Sequence, residues 1–271
     1  MTGRAARTAA DPLGRAPLRL VVPAAVAVAV LVLPLLGLLV ATSPGEVVAH
    51  LGDEDLHAAL WLSVLTATCA TVLCLLVGLP LAWCLARLEF RGRGLLRALV
   101  TVPLVLPPVV AGVALMSTFG RTGLLGAPLR DLTGLTLPFS TAGVVLAHTF
   151  VALPFVVISV EGALRAADPA LDAVAATLGA DRWRIVRTVT LPLALPGILG
   201  GAVLAWARSM GEFGATITFA GNYPGRTQTV PTLIYQAMNA DPDAARTLGL
   251  VLLLMAVLVL VLLRDRWLVA P

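Results

Sequence analysis

Hydrophobic and polar positions alternate along this chain on the scale of whole segments rather than of single residues. Six long stretches carry few or no charges: 20–45, 58–86, 98–120, 132–160, 188–220 and 247–263. Crossing a hydrocarbon layer of about 30 Å takes roughly 20 helical residues, so each stretch predicts a membrane-spanning helix. The spans are placed at about 20–42, 58–86, 97–119, 141–161, 190–219 and 245–263. They form one transmembrane domain over 19–266, with an N-terminal tail over 1–18 and a C-terminal tail over 267–271. Arg4, Arg7, Arg15 and Arg19 precede the first run as they would in a signal peptide. That run is longer than a signal h-region and has no clear cleavage site, so it reads as an anchored span.

Composition strengthens this reading. The chain is 59% hydrophobic and 13% charged, whereas soluble domains are about half apolar and about a quarter charged. So few polar groups cannot cover a water-facing surface, and lipid must be the solvent for much of the molecule. The expected fold class is an all-α membrane protein of six transmembrane helices. Pro80, Pro103, Pro107, Pro108, Pro154, Pro192 and Pro196 fall inside the spans and predict kinks that neighbouring helices can satisfy.

Charge then sets orientation, because arginine and lysine accumulate in cytoplasmic loops. Every one of the 19 basic residues is arginine. If the N-terminus is inside, the inside loops hold Arg87, Arg91, Arg93, Arg97, Arg165, Arg182, Arg184 and Arg187, and the C-terminal end holds Arg264 and Arg266. Arg121, Arg130, Arg226 and Arg246 fall outside, with the acidic Glu46, Asp53, Glu54 and Asp55. Both termini are therefore expected to be cytoplasmic. The lack of lysine excludes a nucleotide-binding P-loop and Schiff-base chemistry, so any ATP must be spent by a partner chain.

The most structured loop is predicted over 162–189. Asp168 before Pro169 is a helix start, with a side-chain cap and proline at the first helical position. The alanine-rich run to Leu178 is helical by propensity, and Gly179 stops it. Asp181 caps a second helix carrying Trp183, Arg184 and Arg187, which leads toward Pro192. Leu171, Val174, Ala175 and Leu178 make an apolar stripe at helical spacing. Such a stripe is covered either by the chain's own bundle or by another protein.

This segment resembles the cytoplasmic "EAA" loop of ABC importer permeases, whose pattern is E-A-A-x-x-x-G-x9-I-x-L-P. Gly179, then nine residues, then Val189, Leu191 and Pro192 match it, as does Ala175. Ala173 stands in place of the usual glutamate and Val174 in place of the first alanine. Further on, Gly211-Glu212-Phe213-Gly214-Ala215-Thr216, with Asn222, Pro224-Gly225-Arg226-Thr227-Gln228-Thr229 and Pro231, is similar to the molybdate permeases. Sulfate and thiosulfate permeases share the GEFGA core, and the N-x-P-G-R-T-Q-T-x-P continuation favours molybdate.

The resemblance implies a permease of the ABC importer type, homodimeric, in a bacterial inner membrane. It further implies a pair of ATPase subunits and an extracytoplasmic molybdate-binding protein as partners, with tungstate a possible second cargo. No catalytic residue, metal, cofactor or nucleic acid is implied. The coupling loop would present Asp168, Leu171, Asp172, Val174, Ala175, Leu178, Gly179, Ala180 and Trp183 to the ATPase. Asn222, Arg226 and Gln228 would meet the binding protein.

Arg208 and Glu212 lie four apart in the fifth span and could pair. A charge at bilayer depth costs about 2.5–3.5 kcal/mol and faces the bundle interior. The pair, with Ser209 and Thr216, is either a gate on the substrate path or a structural lock. His50 and His57 beside Asp53, Glu54 and Asp55 lack zinc spacing and read as a solvated loop. Cys69, Cys74 and Cys84 form no CxxC pair and read as small apolar residues. His148 in the fourth span is a core contact or a proton relay. Two rival classes remain. An intramembrane enzyme lacks an HExxH or serine-elbow signature. A proton-coupled transporter would rest on Glu212 and His148 alone.

Overall fold

The computed structural model describes residues 18–267, so the arginine-bearing tail before Leu18 and the residues after Trp267 lie outside the described residues. Apolar runs become helices because a chain in lipid must satisfy its backbone N–H and C=O groups within the segment. The described elements are helical throughout: α1 (Leu18–Ala41), α2 (Pro44–His50), α3 (Glu54–Arg87), α4 (Arg93–Val105), α5 (Pro108–Phe119), α6 (Gly126–Thr133) and α7 (Thr141–Ala166). After them come α8 (Pro169–Thr177), α9 (Arg182–Ile185), a π turn (Val186–Thr190), α10 (Leu191–Met210), α11 (Gly214–Phe219), α12 (Val230–Ala240) and α13 (Pro242–Trp267). Among the described residues, five helical stretches are long and apolar enough to cross a membrane, and a sixth span exists if α4 and α5 count as one.

The core is the contact of α3, α7 and α10, built from Cys74, Leu85, Val156, Val160, Leu164 and Ala205 among others. Small residues bring α7 and α10 together, as is usual for helices in lipid. A Cβ on Gly197 would collide with the Ala163 side chain, and the Ser159 hydroxyl donates to the Gly197 carbonyl at 2.8 Å. A second cluster joins α5, α7 and α11 through Ala111, Leu115, Ala147, Val151 and Phe219. Helix α1 lies against α13 and buries none of its own residues.

Two spans differ from the sequence expectation. The third, expected as one kinked span over 97–119, is two helices bent by 117°. Consecutive Pro107 and Pro108 remove two amide donors and hold Leu106 extended (φ −64, ψ 130), which ends α4. The fifth, expected as one span over 190–219, runs from Arg182 through the π turn to Met210 and stops at Gly211. Beyond it α11 is a separate short helix. The segment after Gly221 enters α12 at Val230.

Candidate functional site: the α8 loop and the α10–α11 elbow

The α8 loop is shaped by local signals. The Asp168 carboxylate accepts the Ala170 N–H at 2.9 Å and Pro169 opens the helix. At the other end Gly179 takes φ +84. Its N–H donates to Ala176 at 3.0 Å and the Ala180 N–H donates to Ala175 at 3.2 Å. This is a Schellman stop, which needs a left-handed residue at that position. The Asp181 carboxylate then accepts the Arg184 N–H at 2.9 Å and starts α9, which passes through the π turn into α10.

One side of α8 is tied to the bundle and the other is bare. Asp172 receives the Thr190 hydroxyl at 3.0 Å and lies 3.4 Å from the Arg87 guanidinium at the end of α3. Leu171 (45% exposed), Val174 (56%) and Leu178 (83%) point away from the chain's own helices. The bundle therefore does not cover the stripe. Asp172, expected to face a partner, is a tether inside the chain. Trp183 is exposed as well and borders α3.

Beneath this loop lies a charge cluster that sequence reasoning missed. The Glu161 carboxylate is buried at the end of α7, where Arg97 of α4 reaches it at 2.6 Å and Arg165 at 2.9 Å. Arg93 Nε donates to the Leu85 carbonyl at 2.8 Å, and Arg165 donates to the same carbonyl at 3.4 Å. The arginines thus join the ends of α3, α4 and α7. The visible half of this signal was the four-residue spacing of Glu161 and Arg165, but Arg97 stands 64 positions away.

At the α10–α11 elbow, Glu212 is 1% exposed and pairs with Arg208 at 2.6 Å. Its other carboxylate oxygen accepts the Ala215 N–H at 2.8 Å, within the first turn of α11. The expected pair exists, but across a break in the helix rather than along one face. The Ser209 and Thr216 hydroxyls and both His148 ring nitrogens are buried without a protein partner. One carboxylate therefore both neutralises a guanidinium and starts a new helix.

In the segment after α11, the Tyr223 carbonyl collects the N–H groups of Arg226, Thr227 and Gln228. Asn222 and Gln228 both donate to the Gln236 side-chain oxygen, at 2.9 and 2.8 Å. Gln228 is only 3% exposed, so of the three expected contact residues it is turned inward. Arg226 is exposed, and its carbonyl accepts the Thr141 hydroxyl at 2.8 Å. His50 sits 2.7 Å from Asp53, and no group of acidic, histidine or cysteine residues suited to a metal occurs among the described residues.

The chain belongs to the family described as "Binding-protein-dependent transport system inner membrane component", which matches residues 75–270. Among its relatives is the "Molybdenum transport system permease protein ModB" of Mycobacterium tuberculosis (strain ATCC 25618 / H37Rv), 49% identical over 237 residues, 88% of this chain and 89% of that protein. The protein of the same name from Escherichia coli (strain K12) is 43% identical over 80% of this chain and 95% of its own length. Among solved structures, a bacterial ABC transporter importing the acidic polysaccharide alginate has a chain of the same fold, with a TM-score of 0.70 and 20% identity over 92% of both chains.

Proposed function

We propose that this chain is the translocating membrane subunit of an ATP-driven importer of molybdate, with tungstate as a second cargo of the same charge and shape. It works as a homodimer in a bacterial inner membrane, with six spans per copy when α4 and α5 are counted as one crossing. The termini lie inside, since the end bearing α8 concentrates Arg87, Arg91, Arg93, Arg97, Arg165, Arg182, Arg184 and Arg187. ATP is hydrolysed by separate subunits, and a binding protein delivers the oxyanion at the opposite end. The chain itself performs no bond chemistry. The relatives at 43–49% identity support the cargo.

The observation that carries the mechanism is the two-sidedness of α8. Its outer stripe of Leu171, Val174 and Leu178 is uncovered, while Asp172 and the Schellman stop at Gly179 fix the helix rigidly to α3 and the π turn. A docking ATPase that buries the stripe therefore pulls on Arg87 and on the start of α10 together. A rigid lever of this kind converts closure of the ATPase pair into rocking of the bundle. The far end of α10 is the Arg208–Glu212 elbow, where the motion would open or close a path. At the outer end, exposed Arg226 and Tyr223 are the groups offered to the binding protein.

The test is oxyanion uptake into proteoliposomes holding the chain, its ATPase and its binding protein, with molybdate, tungstate and sulfate in competition. The expected result is ATP-dependent molybdate uptake blocked by tungstate and not by sulfate. Uptake blocked best by sulfate would overturn the cargo. Uptake by the lone chain driven by a pH gradient would overturn the mechanism.

A further inference from the structure

A groove of about 700 Å³ runs along the outside of the bundle between α3 and α9. Val72, Leu76, Leu79 and Trp83 form one wall, and Trp183 with Val186 the other. Val72 and Trp83 are eleven positions apart on α3, about 16 Å at the helical rise. That is the reach of a long acyl chain. Arg182 is the charged member of the lining, at the end where both tryptophans stand. Tryptophan is enriched where hydrocarbon meets headgroups, so this end marks the membrane surface.

Arg182 lines the groove, and Arg184 and Arg187 follow it on α9 and the π turn. Arg182, Arg184 and Arg187 are exposed and form no ion pair with a carboxylate among the described residues. The Arg187 guanidinium lies over the Trp183 ring, 5.8 Å from its centre. Four other arginines of this end are spent: Arg87 on Asp172, Arg97 and Arg165 on Glu161, and Arg93 on a backbone carbonyl; Arg91 is exposed in the turn before α4. An apolar slot below a cluster of unpaired guanidinium groups complements one kind of molecule, with two tails and an anionic head.

We propose that this groove binds an anionic phospholipid, one acyl chain lying along α3 and the phosphate held by Arg182 with Arg187, which stacks on the lining Trp183. The bound lipid braces α9, the segment that joins the Gly179 stop to α10, and so stiffens the link between the α8 loop and the membrane. This inference needs only the membrane placement of the chain, not its cargo.

The test is native mass spectrometry of the full chain, purified in detergent and offered phosphatidylglycerol or phosphatidylcholine with identical acyl chains. The expected result is one retained phosphatidylglycerol, favoured over phosphatidylcholine on the order of tenfold or more, since each basic residue near an anionic surface adds roughly a fivefold attraction. The double change Arg182→Gln, Arg187→Gln removes the preference, at side chains that are exposed. Leu76→Trp fills the slot and lowers retention of both lipids. Equal retention by the unaltered chain, or an undiminished preference in the double variant, overturns the proposal. So does cross-linking of Leu76→Cys to a second copy in phosphatidylglycerol vesicles, which would make the groove an interface between chains.

Discussion

Two buried glutamates, Glu161 and Glu212, look alike in sequence and do different work. Each has an arginine four positions away and each accepts it at short range, 2.9 Å for Arg165 and 2.6 Å for Arg208. Glu161 adds a second arginine from α4 and so ties two separate helices together. Glu212 adds its own backbone and so turns one chain. Glu161 is 8% exposed beside arginines that are 41% and 45% exposed, while Glu212 is 1% exposed beside an Arg208 that is 31% exposed. A carboxylate at the end of a bundle can be a clasp that solvent helps to release. The same group inside a bundle is a fixed corner.

That contrast orders the expected effects. Glu212→Ala strips the partly solvated Arg208 of its counter-charge and leaves the Ala215 N–H without its acceptor, and costs about 3 kcal/mol, the upper end for an unmet buried donor beside a charge. Thermal unfolding in detergent measures it, and a loss under 1 kcal/mol would remove the corner role. Gly197→Leu forces α7 from α10 and costs about 1–3 kcal/mol by overpacking, read in the same assay. Glu161→Gln should cost about 1.5–3 kcal/mol for lost charge-assisted hydrogen bonds, at the low end because Arg97 and Arg165 stay solvated. If Glu161→Gln proved as costly as Glu212→Ala, the comparison would fail. Gly179→Ala places a side chain at φ +84 and costs about 1–2 kcal/mol. It leaves membrane insertion unchanged and slows uptake. Leu178→Asp alters stability least, within about 0.5 kcal/mol, because Leu178 is 83% exposed. It should nevertheless release the ATPase in a pull-down.

The features legible in the sequence were the ones written locally. Asp168, Pro169, Gly179 and Asp181 are spaced as caps and stops, and they sit where that spacing put them. The apolar windows marked the helices for the same reason, since span length is fixed by bilayer thickness. The break at Pro107–Pro108 was visible as prolines but not as a 117° turn. Hydropathy records that a run is apolar, not its direction. The stop at Met210 escaped because apolar residues continue to Ala220 while the backbone breaks. The inward turn of Gln228 and the Arg97–Glu161 pair depend on partners far along the chain. A single sequence does not display those pairings.

The central claim is that the bare stripe of α8 is gripped by a foreign ATPase. Its most direct test is site-specific cross-linking from Leu178→Cys during ATP turnover in the assembled transporter, with Cys69, Cys74 and Cys84 replaced by alanine. The account predicts a cross-link to the ATPase subunit whose yield changes with nucleotide. Cross-links confined to the chain's own helices, unchanged by ATP, would contradict it.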